Sequence, residues 1–98
     1  MWTICSTDPE DADLSFRLLP GTFKTMGRAA QADFIVDAAL VSRVHCRLTL
    51  SPSNELGVED LDSTNGTFVN GAKVKTAALA PGDKLKVGRV EFVAERSQ

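Results

Sequence analysis

Turn-forming residues interrupt this chain at short intervals, and their spacing limits the folds that it can adopt. Glycine, proline and asparagine favour turns and end regular elements. Few of the gaps between the turns could hold a helix of several turns, so the sequence favours short extended segments. The predicted turns are Asp8-Pro9, Pro20-Gly21, Ser51-Pro52-Ser53-Asn54, Asn65-Gly66, Asn70-Gly71, Pro81-Gly82-Asp83 and Gly88.

The segment from Val44 to Leu50 has the clearest alternation of apolar and polar residues. Because a period of two is typical of a half-buried strand, we expect Val44 to face the core and His45 to face away from it. Short strands are also predicted at Trp2 to Cys5, Leu14 to Leu19, Thr22 to Met26, Phe34 to Val36, Leu56 to Asp60, Thr67 to Val69, Lys73 to Val74, Lys84 to Val87 and Glu91 to Ala94. Strands this short and closely spaced predict an all-β sandwich.

The segment 28–40 is the one place where a helix competes with this interpretation. Ala29-Ala30-Gln31-Ala32 favours a helix by intrinsic propensity. The following Phe34-Ile35-Val36 is aromatic and β-branched, and no capping pattern closes a helix of three turns. We therefore predict a loop followed by a strand.

The length of 98 residues suits a single domain with one hydrophobic core. We expect one domain over residues 1–98, with its core between about residues 14 and 94. Apolar residues make up 43% of the chain, but the longest apolar runs are far too short to span a membrane. The first residues lack the basic start and the apolar segment of a signal peptide. These features predict a cytoplasmic protein with no membrane partner.

Two cysteines and one histidine are too few for a metal site of the zinc type. Cys5 and Cys46 are distant in sequence, and His45 is the only histidine. A zinc site would lack ligands, so we expect no metal and no cofactor. Both cysteines fall in predicted strands, which favours two buried thiols, although the sequence leaves a disulfide between them open.

The charged residues are unevenly distributed along the chain. Asp8, Glu10, Asp11 and Asp13 lie in one short stretch, which leaves nine acidic residues against eleven Lys and Arg elsewhere. That mildly basic remainder suits an anion pocket and falls well short of a nucleic-acid-binding face.

Four polar and glycine-containing clusters stand at the ends of the predicted strands. They are Gly27-Arg28, Ser42-Arg43-Val44-His45, the segment from Asp60 to Gly71, and Pro81-Gly82-Asp83 followed by Gly88. In order and spacing they resemble the forkhead-associated (FHA) domain family, from about Phe16 to Val93. The resemblance implies a sandwich of about eleven short strands whose loops at one end bind a phosphothreonine-containing peptide.

Arg28, Ser42 and Arg43 have the chemistry that a phosphate needs. A phosphothreonine carries about −1.5 to −2 charges near neutral pH and three acceptor oxygens, so its site needs a cation and N–H or O–H donors. Arg28 offers a permanent charge and a planar fork of donors, and Ser42 offers a short hydroxyl. The resemblance implies that Arg28 and Ser42 bind the phosphate and that Arg43 also contacts the phosphopeptide.

The residues from Thr64 onward divide between binding and structure. The resemblance implies that Asn65 holds the peptide backbone through its side-chain amide and that Thr64 lies beside the phosphothreonine. We expect Gly66 to keep this loop sharp. Asn70-Gly71 fits a type I′ turn between two strands, so we interpret it as mainly structural support.

Gly27 and His45 are also interpreted as support for the binding loops. Gly27 would let two backbone segments pack closely where a strand ends. The resemblance implies that His45 braces the loop carrying Ser42 without touching the phosphate. The predicted core includes Leu61, Phe68, Leu79, Leu85, Val87 and Phe92.

Two other classes of function fit the residues less well. Ser42 and His45 with Asp60 or Asp62 could be imagined as a hydrolase triad, but Ser42 and His45 are close neighbours in sequence and no nucleophile elbow accompanies them. A nucleic-acid-binding barrel would need basic residues interleaved with exposed aromatic residues, and most aromatic residues here occupy core-like positions.

The remaining alternative is a domain of the same fold that binds its partner without phosphate, or that assembles with copies of itself through another face. The residues of the predicted phosphate site favour phosphothreonine-dependent binding over this alternative. We therefore expect a non-enzymatic interaction module, monomeric in isolation, that binds a threonine-phosphorylated protein or peptide of a signalling partner and no nucleic acid.

Overall fold

The computed structural model describes residues 1–8 and 13–97. Within these ranges the regular secondary structure consists of eleven strands and no helix. The strands are β1 (Trp2–Ser6), β2 (Ser15–Leu18), β3 (Thr22–Gly27), β4 (Phe34–Ile35), β5 (Cys46–Leu50), β6 (Leu56–Asp60), β7 (Thr67–Val69), β8 (Ala72–Val74), β9 (Thr76–Leu79), β10 (Lys84–Val87) and β11 (Val90–Arg96).

The strands form two sheets with the core between them. The first sheet has six strands in the order β2-β1-β11-β10-β7-β8, and the second has five in the order β4-β3-β5-β6-β9. Adjacent strands are antiparallel, except that β3 and β4 are parallel. This architecture confirms the predicted all-β sandwich of about eleven strands.

The register of the strands gathers several connections at one end of the sandwich. Cys46 at the start of β5 pairs with Met26 of β3 on one side and with Asp60 at the end of β6 on the other. In the first sheet, Thr67 at the start of β7 pairs with Val87 at the end of β10. The β3–β4, β4–β5, β6–β7 and β10–β11 connections therefore lie together, and we call this end of the sandwich the loop end.

The inner faces of the two sheets build one hydrophobic core. The ring of Phe16 bridges the sheets, since it stacks on Phe34 with centroids 4.5 Å apart and contacts Phe92 with centroids 6.2 Å apart. The buried core residues are Trp2, Ile4, Leu18, Met26, Phe34, Val36, Val41, Cys46, Leu48, Leu50, Leu56, Val58, Leu79, Leu85, Val87, Val90, Phe92 and Ala94. This rigid core holds the strand ends from which the loops emerge.

Val44 and His45 are oriented opposite to the prediction. His45 is fully buried, whereas Val44 is 37% exposed. The alternation of buried and exposed residues holds only within β5, which begins at Cys46. The chain bends at Arg43 and Val44, so side chains before Cys46 do not follow the period of a strand and that prediction was wrong.

Strand β9, which pairs with β6 at the edge of the second sheet, was not predicted from the sequence. Its alanines have little intrinsic preference for strands, so the pairing with β6 determines its conformation. Leu61 and Phe68 were predicted to be core but are only half-buried. Phe68 lies between Lys73 and Lys86 in adjacent strands, on the outer face of the first sheet.

The predicted turn at Asn70-Gly71 is confirmed. These two residues connect β7 to β8 with φ angles of 51° and 84°, and positive values at both positions are what a type I′ turn needs. The predicted loop followed by a strand in the segment 28–40 is also confirmed. Pro9 lies outside the described residues, so the predicted Asp8-Pro9 turn is not described, and Glu10 and Asp11 also lie outside them.

Both cysteines are free thiols, which resolves the disulfide alternative. Cys46 is buried in β5, and Cys5 is half-buried in β1. In the described part of the chain, no helix is long and apolar enough to cross a membrane.

Candidate functional site

A depression of about 590 Å³ opens at the loop end of the sandwich. It contains all five residues predicted to bind a phosphopeptide, although they come from three separate connections of the chain. The lining residues are Arg28, Asp37, Ala38, Ala39, Leu40, Val41, Ser42, Arg43, Thr64 and Asn65.

Arg28 follows directly on β3 and is held against the β4–β5 connection. Its backbone N–H donates to the carbonyl oxygen of Ser42 at 2.9 Å, and its side-chain Nε donates to the carbonyl oxygen of Val41 at 3.1 Å. No carboxylate among the described residues forms an ion pair with Arg28. The guanidinium is therefore oriented by Nε, while its terminal nitrogens remain able to bind an anion.

Besides its bond to Arg28, Ser42 makes two hydrogen bonds that leave its hydroxyl hydrogen available. The hydroxyl oxygen accepts a hydrogen bond from the backbone N–H of Thr64 at 3.0 Å. The backbone N–H of Ser42 donates to Nδ1 of His45 at 3.1 Å. Because the hydroxyl oxygen is engaged as an acceptor, its own hydrogen is left to donate to a ligand in the depression.

His45 joins the β4–β5 and β6–β7 connections from beneath. Nδ1 accepts the N–H of Ser42, so the ring hydrogen must reside on Nε2, which donates to the carbonyl oxygen of Gly66 at 2.8 Å. The residue is completely buried, and its backbone N–H also donates to Met26 at 2.8 Å. A neutral imidazole with this one tautomer satisfies every polar atom of the ring.

The contacts of His45 do not build the imagined hydrolase triad. His45 bonds to the backbone amide of Ser42, whereas the hydroxyl of Ser42 bonds to Thr64. The carboxylate of Asp60 bonds to Ser63 and Thr67. A triad would need a chain of hydrogen bonds from the serine hydroxyl through the imidazole to the carboxylate.

Two glycines allow the loops to approach the strand ends. A Cβ atom on Gly27 would lie 2.1 Å from the carbonyl oxygen of Arg43, so no side chain fits there. A Cβ atom on Gly88 would lie 2.8 Å from the carbonyl carbon of Leu40, and the φ angle of Gly88 is 58°. The sequence placed Gly88 in a turn and in one of the four clusters, but its approach to Leu40 is made across the fold and leaves no local sequence signal.

Asn65 contacts the opposite wall of the depression. Its Nδ2 donates to the carbonyl oxygen of Leu40 at 3.0 Å. Leu40 has a φ angle of 70°, which is unusual for a leucine, and its side chain is 54% exposed. The bond to Asn65 stabilises this backbone conformation, and the side-chain oxygen of Asn65 remains able to accept a hydrogen bond from a ligand.

The β6–β7 connection is organised by Asp60, a role that the sequence analysis missed. Its carboxylate accepts hydrogen bonds from the Ser63 hydroxyl at 2.5 Å and from the Thr67 hydroxyl at 2.7 Å. Burial acts to raise the pKa of Asp60, but the hydrogen bonds from Ser63 and Thr67 outweigh it and lower the pKa. An Asp followed three residues later by Ser is the sequence signal for such a side-chain-closed turn.

Gly66 and the Asn70-Gly71 pair lie at opposite ends of β7. Gly66 has a φ angle of 90°, and a Cβ atom there would lie 2.9 Å from a side-chain carbon of Lys73. Asn70 donates to the carboxylate of Asp83 at 3.1 Å and accepts the N–H of Lys84 at 2.9 Å. Gly66 therefore shapes the loop at the site, whereas Asn70 and Gly71 shape the far end of the hairpin.

A family model for the FHA domain matches residues 24–88. The chain therefore belongs to the FHA domain family, which confirms the resemblance seen in the sequence.

Two curated relatives illustrate the similarity in sequence. The chain is 38% identical over 76 residues to the glycogen accumulation regulator GarA of Mycobacterium tuberculosis. The aligned region covers 78% of this chain and 46% of that protein. It is 39% identical over 80 residues to an ABC transporter ATP-binding/permease protein of the same species. That alignment covers 82% of this chain and 9% of the transporter protein. The chain thus spans less than half the length of these relatives.

Two solved structures have the same fold over nearly the whole chain. One comes from a study of phosphothreonine-dependent FHA domain interactions and has a TM-score of 0.88 with 30% identity, covering 99% of this chain and 97% of that one. The other is the FhaA FHA domain complexed with the intracellular domain of Rv3910, with a TM-score of 0.86, 30% identity, and coverage of 97% and 100%.

Proposed function

We propose that this chain is a non-enzymatic module that binds threonine-phosphorylated segments of a signalling partner through the depression at its loop end. The observation that carries the proposal is the arrangement of Arg28 and Ser42. Both offer unsatisfied donors to one depression, and both are fixed by hydrogen bonds that do not consume those donors.

The charge of the site supports a phosphate as the ligand. Arg28 and Arg43 line the depression, and the described residues provide no ion pair to either of them. A phosphothreonine brings about −1.5 to −2 charges, so it can accept hydrogen bonds from both guanidinium groups. Because Arg28 is held through its backbone and Nε, little side-chain entropy is lost when its terminal nitrogens bind an anion.

Thr64 and Asn65 complete the proposed peptide site. We assign Thr64 to contact with the phosphothreonine side chain, since its backbone N–H bonds to Ser42 and so lies beside the proposed phosphate donor. We assign Asn65 to the peptide backbone, since its side-chain oxygen is available in the depression. In this account Gly27, His45 and Gly66 support the loops, and Asn70 and Gly71 support β7.

Two of the similar solved structures support the same class of function. One similar structure was solved in work on phosphothreonine-dependent interactions, and another was solved in complex with the intracellular domain of a second protein. We extend phosphothreonine-dependent binding to this chain on its own Arg28 and Ser42. We also propose that residues 1–98 form one monomeric module, which binds a protein partner in the cytoplasm and needs no cofactor or nucleic acid. The two free cysteines support a reducing compartment.

A phosphopeptide library tests the proposal. The purified chain would be panned against degenerate peptides with a central phosphothreonine, and against the same library with unphosphorylated threonine. We expect retention of phosphothreonine peptides alone. Equal retention of both libraries would favour the alternative, in which the fold binds its partner without phosphate.

A further inference from the structure

The depression at the loop end contains one carboxylate, that of Asp37, together with the guanidinium groups of Arg28 and Arg43. Among the described residues, neither Arg28 nor Arg43 forms an ion pair with Asp37. Asp37 is exposed. An exposed carboxylate that shares an anion site with unpaired arginines is unfavourable for a phosphate ligand, unless the ligand also carries a positive charge.

The backbone on both sides of Asp37 is fixed. Val36 is fully buried, and its N–H donates to the carbonyl oxygen of Gly27 at 2.7 Å. The N–H of Ala38 donates to the carbonyl oxygen of Val36 at 3.0 Å. The backbone of Asp37 is therefore held at the rim of the depression by these contacts.

The charge around the two arginines is distributed asymmetrically. A second depression of about 260 Å³ is lined by Arg28, Ala29, Gln31 and Arg43, and none of these described residues carries a carboxylate. The arginines thus lie between an acid-free depression and one that contains Asp37. Among the described residues that line these two depressions, Asp37 is the one carboxylate that a ligand bound across the arginines would meet.

We infer that Asp37 is a specificity-determining residue, which selects phosphothreonine peptides that carry a lysine or arginine at the position lying against it. This inference rests on the proposed function. The phosphate binds Arg28 and Ser42, and the peptide cation pairs with Asp37 and removes the repulsion between its carboxylate and the phosphate. An exposed pair of this kind contributes about a two- to five-fold change in affinity.

The test uses phosphothreonine peptides in which single flanking positions are alanine, lysine or glutamate. Their dissociation constants would be measured for the unaltered chain and for Asp37→Asn and Asp37→Lys. Glu95→Gln is the matched control, because it removes the same charge from an exposed position of β11. Each measurement would be repeated at low and high salt, since an exposed ion pair is screened.

We expect the unaltered chain and Glu95→Gln to prefer lysine over alanine at one position by about two- to five-fold, less at high salt. Asp37→Asn should abolish that preference, and Asp37→Lys should favour glutamate there. If phosphothreonine peptides bind but the preference is absent, or survives in Asp37→Asn, the inference is overturned and the proposed function stands. If no phosphothreonine peptide binds, the proposed function fails and the inference fails with it.

Discussion

The hydroxyl oxygen of Ser42 accepts a hydrogen bond from the backbone N–H of Thr64 at 3.0 Å, across a separation of 22 residues in the chain. This contact makes one site out of the β4–β5 and β6–β7 connections. It also directs the hydroxyl hydrogen of Ser42 away from Thr64, and it fixes Thr64 next to the proposed phosphate position.

The position of Thr64 predicts that the chain prefers phosphothreonine to phosphoserine. The extra methyl group of phosphothreonine would be buried beside Thr64, which stabilises the complex by about 0.8 kcal/mol, or roughly four-fold in affinity. Peptides with glutamate or aspartate instead should bind much more weakly, since a carboxylate has one charge and a different shape. Calorimetry with matched peptides measures these differences, and equal affinity for phosphoserine would refute the methyl contact.

His45→Ala should reduce both thermal stability and phosphopeptide binding. The change removes a buried ring and leaves the carbonyl oxygen of Gly66 and the N–H of Ser42 without their partner. An unsatisfied buried polar group costs about 1 to 3 kcal/mol. Thermal melts and calorimetry on the same samples check this, and a variant that melts normally but binds weakly would mean that His45 contacts the ligand.

Much of the fold could be predicted, because it depends on local pattern, and the five residues predicted to bind a phosphopeptide line one depression. Turn residues located most of the strands, and the residue types of Arg28 and Ser42 suited phosphate. The burial of His45 and the close approach of Gly88 to Leu40 could not be predicted, since they arise only when distant loops pack together. The alternating pattern predicted that His45 faces away from the core. That prediction was wrong because the chain bends before β5 begins.

The two asparagines at the ends of β7 should respond differently to replacement by alanine. Asn65→Ala should weaken phosphopeptide binding by about ten-fold or more with a nearly normal melting temperature, because its exposed side chain is assigned to the peptide backbone. Asn70→Ala should leave binding unchanged and lower the melting temperature, because it loses the contacts with Asp83 and Lys84. Weakened binding in Asn70→Ala at full stability would contradict this division of roles.

The buried thiol of Cys46 predicts a loss of stability at alkaline pH. Burial, with a smaller contribution from nearby Asp60, raises the pKa of Cys46 from 9.0 to about 12. The raised pKa means that the protonated thiol stabilises the fold fully below pH 9.0, and that this contribution is lost as the pH rises from 9.0 toward about 12. Chemical denaturation across that range should show that the free energy of unfolding falls more steeply with pH for the unaltered chain than for Cys46→Ala. Equal slopes for the two proteins would contradict the prediction.

The most direct test of the proposed function is calorimetry of one library-selected phosphothreonine peptide with the unaltered chain, Arg28→Ala and Arg47→Ala. Arg47 is the control, since it pairs with Glu59 on the outer face of the second sheet and its loss changes the net charge equally. Removing one partner of a hydrogen-bonded charge pair costs about 2 to 5 kcal/mol, or roughly thirty-fold or more in affinity. We predict that Arg28→Ala loses measurable binding while keeping the unaltered melting temperature, and that Arg47→Ala binds normally. Unaltered affinity in Arg28→Ala would contradict the account and place the ligand elsewhere on the domain.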